Sequence, residues 1–397
     1  GWNVSKESFW KFPQTDLKFR LSYGKTGNQD GIGNYAWQPL MSGGINYGNN
    51  SGMAVTSMGN NKLTWETADQ YDFGFDLGFW NGKLNMIADI YLKNTNNLLY
   101  SMPLHGTSGF TSITSNIGSM RNYGVEFSIN GHLNIGKVNW TSSFNISHNK
   151  NKLTKLLGDD LLPIGSNRAL KVGEELGAFY LFQMDGLYQY DGEVPQPLYD
   201  LGVRAGDVKY HDADNNGIIN DNDRVLTGSS NPDFFGGWNN TFKYKGFQLD
   251  VFFTYMYGND VYAEWAVTAT RPGYRMAITE DVAKNRWTAP GSSDKYPRAV
   301  NTLCGHNSKN STRFLEDGSF IRLRSLTFSY TFPQVMLQKI CLKGLRLYVQ
   351  GDNLLLFSKY SGWDPEVSKN MDPQYFGVDL YGVPPSRSVN FGINLSF

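Results

Sequence analysis

The chain has 397 residues, of which 18% are charged and 15% are aromatic, and it contains 43 glycines. Its 36 Lys and Arg residues balance its 36 Asp and Glu residues, so net charge does not favour nucleic acid or an anionic membrane surface as a partner. The mean hydropathy is negative, and no apolar run approaches the ~18 residues of a transmembrane helix. This composition indicates an all-β protein that would cross a membrane only with strands.

Apolar and polar residues alternate with a period of two along much of the chain, as they do in a strand with one apolar face. A short remnant at 2–5 leads through 9–12 to the first whole strand near Asp16. Counting the alternating segments gives about ten complete strands. In chain order the clearest lie at 17–23, 71–79, 84–92, 123–129, 138–146, 247–257, 326–332, 345–349 and 389–397.

The connections between these strands alternate in length. Short turns are predicted at 81–82, 131–136, 245–246 and 333–344. Long polar connections are predicted at 26–62, 94–114, 153–232, 258–311 and 358–385, well above the usual loop length of a compact domain. Short turns at one rim and long loops at the other are typical of an outer-membrane β-barrel. Its apolar face would point to lipid and its polar face to the lumen.

The strands of a soluble β-sandwich or propeller also alternate apolar and polar residues, but they turn the apolar face inward. Strand length favours the membrane barrel, because several strands here extend over about ten to sixteen residues whereas sandwich strands have about five or six. The polar faces also favour it: Asn139, Thr141, Ser143, Asn145 and Ser147 are small and uncharged, which suits a hydrated lumen. The first strand would leave an unpaired edge, which lipid does not tolerate, so we expect that this chain does not close the barrel alone.

Several motifs follow one another along the chain: the run Leu17–Gln29, Trp65-Glu66, the run Gly206–Tyr210 with its acidic loop, Ser319–Arg324 and Val349–Leu354. Together and in this order they resemble the C-terminal half of SusC/RagA-type TonB-dependent transporters. The resemblance implies an antiparallel transmembrane barrel of about 22 strands in the bacterial outer membrane. Residues 1–397 would then be its C-terminal part. The plug domain, the early strands and the energy-coupling segment would lie N-terminal to this region, on the same or another chain.

The resemblance also implies partners. A surface lipoprotein of the SusD type would form a hinged lid, membrane lipid would surround the strands, and the TonB complex would act through the missing part. The lid would dock on long loops at 261–312 and 360–386, which are rich in aromatic residues. These aromatics would contact ligand or lid, or else pack the loops onto one another. The candidates are Trp265, Tyr274, Trp287, Trp363, Tyr375 and Phe376.

One segment, 212–223, has the spacing of a twelve-residue calcium-binding loop. Oxygen ligands would come from Asp212, Asp214, Asn216, the Ile218 carbonyl, Asn220 and Asp223, around a turn at Gly217. Asp223 stands where such loops usually have a bidentate Glu. This shorter side chain would admit magnesium as well as calcium. The ion would brace the loop. The alternative is a turn held by its own Asn and Asp side chains.

Catalytic motifs are absent from the sequence, and its five His residues are scattered without metal-ligand spacing. We therefore expect no enzyme activity and no organic cofactor. The N-terminus shows no export signal, which would have been removed or lie upstream, and Cys304 and Cys341 are expected to stay unlinked. The sequence predicts TonB-coupled import of an oligomeric nutrient, a glycan or a peptide. Alternatives are a passive porin and a soluble glycan-binding β-protein.

Overall fold

The structure is a computed structural model that describes residues 1–158, 161–273, 276–300, 305–338, 342–371 and 375–397. Tyr274, Cys304 and Cys341 lie outside these ranges, so the predictions made for them stay predictions. The chain divides into two compact units. Unit 1 comprises 1–127, 149–162 and 170–176, and unit 2 comprises 128–148, 163–169 and 177–397.

Strands dominate the described residues. Those up to the middle of the chain are β1 Trp2–Asn3, β2 Thr15–Asn28, β3 Leu40–Gly43, β4 Met53–Ser57, β5 Glu66–Phe79, β6 Leu84–Pro103, β7 Ser112–Ile135, β8 Val138–Leu156, β9 Leu161–Ile164, β10 Arg168–Lys171, β11 Ala178–Phe182 and β12 Met184–Leu187. The rest are β13 Val208–Tyr210, β14 Arg224–Ser229, β15 Phe234–Tyr244, β16 Phe247–Tyr257, β17 Asp260–Ala263, β18 Leu315–Asp317, β19 Phe320–Thr331, β20 Gly344–Ser358, β21 Val378–Asp379 and β22 Ser388–Ser396.

Helices are few and short. They are α1 Gln196–Asp200, α2 Glu264–Ala269, α3 Glu280–Asn285 and α4 Gln334–Leu337. None of the helices in the described ranges has the length and apolar character needed to cross a membrane.

In unit 1 the long strands follow one another in the order β1-β2-β5-β6-β7. The ladder between β2 and β5 is antiparallel and unbroken from Thr15 opposite Phe79 to Asn28 opposite Glu66. The next ladder joins β5 to β6 in the same way. Asn81 and Gly82 adopt positive φ in the turn between β5 and β6, as expected of an Asn-Gly hairpin.

In unit 2 the order is β8-β15-β16-β19-β20-β22, and every neighbouring pair is antiparallel. The described ranges contain ten strands of nine residues or more, which confirms the predicted number of complete strands. The remnant predicted at the N-terminus is β1, which pairs with β2 through Trp2 opposite Phe19.

The apolar side of these strands is exposed. Leu21 retains 78% of its accessible surface, Phe391 83% and Ile393 64%. The buried apolar clusters of the described residues consist instead of side chains from the long connections, such as Phe179 and Val261 in one and Leu198 and Val203 in the other. A soluble sandwich would bury the apolar side of its strands, whereas a membrane barrel turns it to lipid. The arrangement therefore agrees with the membrane barrel.

Two predicted connections were wrong. The segment 94–114 is mostly strand, because β6 has 20 residues and β7 has 24, which leaves only 104–111 as the connection. The turn predicted at 131–136 lies at Gly136 and Lys137, because β7 continues to Ile135. In both places Asn, Ser, Thr and Gly residues resemble a loop in sequence, yet they lie within strands that continue beyond their apolar stretch.

The polar side of unit 1 is also more charged than expected. Arg20 lies 2.9 Å from Asp76 and 2.8 Å from Asp89. The expectation of small uncharged groups was drawn from β8 and does not extend to β2, β5 and β6. Opposite charges on adjacent strands keep this polar side close to neutral.

The exposed apolar side gives a first testable prediction. Phe328 on β19 is 47% exposed, so Phe328→Arg would place a cation in lipid at a cost of about 2–4 kcal/mol near the bilayer midplane. We expect less folded protein in the outer membrane, measured by heat-modifiable electrophoretic mobility.

The matched control is Thr327→Arg, one residue away on the opposite side and in register with Asp250. That arginine would face water and a carboxylate, so folded protein should be close to the wild-type amount. Equal loss in both variants would contradict the assignment of the two sides.

Candidate functional site

The candidate site is a cavity of about 570 Å³ in unit 2, formed by the connections 258–319 and 359–387. A volume of several hundred Å³ is typical of sites for small molecules. Its walls come from both connections and contain three aromatic residues and one carboxylate. The lining residues are Trp265, Ser361, Gly362, Trp363, Asp379, Tyr381 and Gly382.

A small sheet positions the cavity walls. β17 pairs antiparallel with β18 and parallel with β21, where Ala263 lies opposite Asp379. Val261, Tyr262, Ala263 and Val378 are fully buried, so this sheet has its own apolar core. Because α2 begins directly after β17, Trp265 is held beside Asp379 across the same sheet.

A chain of hydrogen bonds extends from Trp265 to Asp379. The Trp265 indole N–H donates to the Tyr360 hydroxyl at 3.1 Å, and that hydroxyl donates to Asp379 Oδ2 at 2.7 Å. The backbone N–H of Gly382 donates to Asp379 Oδ1 at 2.9 Å. Burial, followed by the bond to Asp379, raises the pKa of Tyr360, so Tyr360 remains a neutral phenol that can donate its proton.

The other two aromatic rings form the mouth of the cavity. Trp363 is 79% exposed and Tyr381 is 60% exposed. The Tyr381 hydroxyl lies 2.5 Å from Thr268 Oγ1 on α2, and its backbone has φ of +55°. A positive φ is uncommon for a residue with a large side chain, so the surrounding contacts must hold Tyr381 in this orientation.

Gly362 allows the wall to close against Tyr360. A Cβ at this position would lie 2.4 Å from the Tyr360 ring, far below van der Waals distance. Any larger residue would push Tyr360 away from Asp379.

Ion pairs anchor the second connection to β19. Arg322 lies 2.6 Å from Asp364 and both side chains are almost fully buried. Glu366 lies 2.8 Å from both Arg322 and Arg324. Asp364 directly follows Trp363, so these pairs fix the segment that presents the most exposed ring of the cavity.

The remaining predicted aromatics lie elsewhere. Trp287 packs against the second buried cluster and donates from its indole to Gln189 at 3.1 Å. Tyr375 packs against the first cluster, and the Phe376 carbonyl accepts a hydrogen bond from Arg168. Of the six candidates, the structure brings Trp265 and Trp363 together at the cavity, and Tyr274 lies outside the described residues.

Sequence reasoning did not single out Asp379, Ser361 or Gly362. Asp379 lies in the run Tyr375–Tyr381, where most of its neighbours are aromatic or aliphatic. That composition indicates local packing, but it does not distinguish a buried carboxylate from one that faces water.

The acidic loop folds around three carboxylates. Oxygens of Asp212, Asp214 and Asp223 lie within 4.8 Å of one another. Asp223 is fully buried and accepts from the N–H groups of Ala213 at 2.9 Å and Asn220 at 2.8 Å. These three positions are the acidic ones among the six predicted ligands.

Backbone donors stabilise the same carboxylates. Gly217 N–H donates to Asp212 at 2.7 Å and Asn216 N–H donates to it at 3.1 Å. These bonds, with that of Gly217 the largest, lower the pKa of Asp212. Asn216 and Asn220 use their side-chain oxygens to accept from Ile218 and Asn222. Converging hard oxygens fit a divalent cation, and the same bonds would also hold a turn without one.

Comparisons with known proteins identify the family to which the chain belongs. Residues 4–354 match the family described as TonB dependent receptor-like, beta-barrel. The TonB-dependent receptor P3 of Formosa agariphila is 33% identical over all of this chain and 41% of its own length. The TonB-dependent receptor SusC of Bacteroides thetaiotaomicron is 29% identical over all of this chain and 39% of its own length.

Solved structures agree. One described as the RagAB peptide transporter superposes on all of this chain with a TM-score of 0.85 and 27% identity, over 42% of its own chain. The RagAB peptide importer in its open-open state gives a TM-score of 0.81 at 26% identity, with the same coverage of both chains.

Exposed apolar strand sides and these matches together define a β-barrel of the bacterial outer membrane. The chain belongs to the TonB-dependent receptor-like β-barrel family, and its similarity to SusC/RagA-type proteins covers its whole length. It spans about two fifths of the length of the relatives that it matches.

The buried ion pairs give a second prediction. Arg322→Ala would leave Asp364 buried without a cation, a change that typically costs about 3–5 kcal/mol. We expect the connection 359–387 to open, so that trypsin cleaves after Lys359 or Lys369 at least about tenfold faster. Mass spectrometry of the fragments measures the rate.

Lys284→Ala is the matched control, because its partner Glu280 and Lys284 itself are 80% and 69% exposed. An exposed pair contributes about 0–1 kcal/mol, so cleavage in 359–387 should not change. Unaltered cleavage in Arg322→Ala would show that the ion pairs do not anchor this connection.

Proposed function

We propose that this chain is the barrel part of an importer that uses energy from TonB to move an oligomeric nutrient across the outer membrane. The observation that supports this most is the likeness of the whole chain to a protein described as a peptide transporter. Peptide or glycan is the proposed cargo. The family relationship also favours a transport role over an enzymatic one.

The proposed partners follow from the same relationship. An N-terminal plug and barrel part, on this or another polypeptide, would complete the barrel and connect it to TonB. A SusD-like surface lipoprotein would form the lid and contact the connections 258–319 and 359–387, where Trp363 and Val383 are largely exposed. Membrane lipid would cover the apolar sides of the strands.

The third prediction tests this assembly. Native protein extracted from outer membranes in mild detergent should contain the plug region, as part of a longer chain or as a separate one, together with a lipoprotein. Mass spectrometry of intact complexes measures these masses. A lone folded chain of 44.7 kDa would contradict the proposal.

Uptake of fluorescent peptides and oligosaccharides into cells tests the energy requirement. Import should stop when the inner-membrane proton gradient is collapsed with a protonophore. Uptake that continues unchanged would instead indicate a passive porin.

We also propose that the acidic loop binds one calcium or magnesium ion that braces the connection between β13 and β14, residues 211–223. The ligands would be the oxygens of Asp212, Asp214, Asn216, Ile218, Asn220 and Asp223. The proposal is supported by the convergence of three carboxylates at a place where Asp223 is completely buried.

A double substitution provides the fourth prediction. Asp212→Ala with Asp214→Ala should remove about one divalent ion per chain, measured by elemental analysis after dialysis, with folded protein still present in the membrane. Because the pKa of Asp212 is lowered, this carboxylate stays charged, and able to hold a cation, to a lower pH than an ordinary aspartate would.

The control is Asp221→Ala, whose side chain is 88% exposed and lies outside the cluster of three carboxylates. Metal content equal to wild type in the double variant would leave the Asn and Asp turn as the account of this loop.

A further inference from the structure

The carboxylate of Asp379 is buried at the cavity without a cationic partner. The residue is only 4% exposed, and its oxygens accept two hydrogen bonds from neutral donors, the Tyr360 hydroxyl and the Gly382 N–H. Within the described ranges, no Lys, Arg or His side chain forms an ion pair with Asp379. A buried charge in this situation is costly unless a partner neutralises it.

Several cations of the neighbouring segments already have partners. Lys369 binds Glu264 at 2.8 Å, and Arg322 and Arg324 bind Asp364 and Glu366. Arg168 donates to the carbonyls of Gly177 and Phe376. The negative charge of Asp379 is therefore open to a partner that enters from the cavity.

The rings around the cavity suit the same partner. A cation within about 6 Å of the face of an aromatic ring is attracted by its quadrupole, and tryptophan attracts most strongly. Trp265 lies in the wall and Trp363 and Tyr381 lie at the mouth. A neutral sugar could stack on these rings, but it would not neutralise Asp379.

We propose that this cavity binds a positively charged group of the cargo, an ammonium or guanidinium, with Asp379 as its counter-ion and the rings of Trp265, Trp363 and Tyr381 around it. The proposal rests on the proposed function, because it takes the cavity to be a cargo site, and it favours peptides that contain basic residues. A cavity of about 570 Å³ has room for a lysine or arginine side chain with part of its backbone.

Two tripeptide probes with blocked, uncharged termini test the proposal. They are acetyl-Gly-Lys-Gly-amide and the same peptide with norleucine in place of lysine, which keeps the apolar stem and lacks the charge. Binding is measured by tryptophan fluorescence and calorimetry on the native complex in detergent. The lysine probe should bind at least about tenfold more tightly than the norleucine probe.

Asp379→Asn keeps the shape of the side chain and removes its charge. We expect this variant to lose most of the preference for lysine, while binding of the norleucine probe stays the same. Asp294→Asn is the matched control, because it removes one exposed carboxylate from the same unit outside the cavity, and it should preserve the preference.

A second variant covers the case in which Asp379→Asn does not fold. Trp363 is 79% exposed, so Trp363→Leu should leave the fold intact and weaken binding of the lysine probe severalfold by removing one ring. Equal affinity for the two probes, or a preference that survives both substitutions, would overturn the proposal. Tighter binding of a neutral trisaccharide such as maltotriose, lost in Trp363→Leu, would assign the cavity to sugars instead.

These measurements are made at equilibrium on purified protein without an energy source. Failure of energised import in cells, with the lysine preference intact, would overturn the importer and leave the cation site standing. If energised import occurs but the wild-type protein shows no preference for the lysine probe, the importer would stand and the cation site would be overturned.

Discussion

Hydrocarbon offers no hydrogen-bond partner, so each unpaired backbone N–H or C=O within it costs on the order of several kcal/mol. The long antiparallel ladders satisfy this constraint, because they pair the backbone N–H and C=O groups of neighbouring strands. Between β2 and β5, for example, pairing continues without a break for the whole length of β2. Once lipid covers one side of the strands, the alternation of side chains follows, because the side that faces lipid must be apolar and the opposite side can be polar. Exposed Leu21 and ion-paired Arg20 are adjacent residues that show both halves of this rule.

The same constraint explains where the buried cores are. The strands present their apolar side chains to lipid, so the long connections must generate their own cores to become ordered. The first cluster surrounds Tyr262 and Phe314, and the second surrounds Val203 and Val208. Buried ion pairs such as that of Arg322 with Asp364 tie these connections to the strands. The candidate cavity lies beside the first cluster, against which Trp265 packs. This packing gives the walls of the cavity a fixed geometry.

Much of the strand framework could be predicted from sequence, because its signals are local. The alternation at 71–79, the Asn81-Gly82 turn and the alternation at 84–92 each specify structure within a few residues, and β5 and β6 form there. The long β6–β7 extension was missed because Asn94 and Asn96 are turn formers in sequence and strand residues in structure. Asp379 could not be found, since its burial depends on Tyr360 and β17, far away in the chain. The spacing of Asp212, Asp214 and Asp223 was local, and their side chains do converge.

The parallel pairing of β17 with β21 joins Tyr262 to Val378, and this has a consequence for folding. Contacts between residues so far apart in sequence require closure of a long loop, and loop closure slows folding. Strands β19 and β20 lie between β17 and β21 in the chain, so this closure spans both of them. The cavity should therefore be among the last features of the protein to form, after the strands that hold it are already paired.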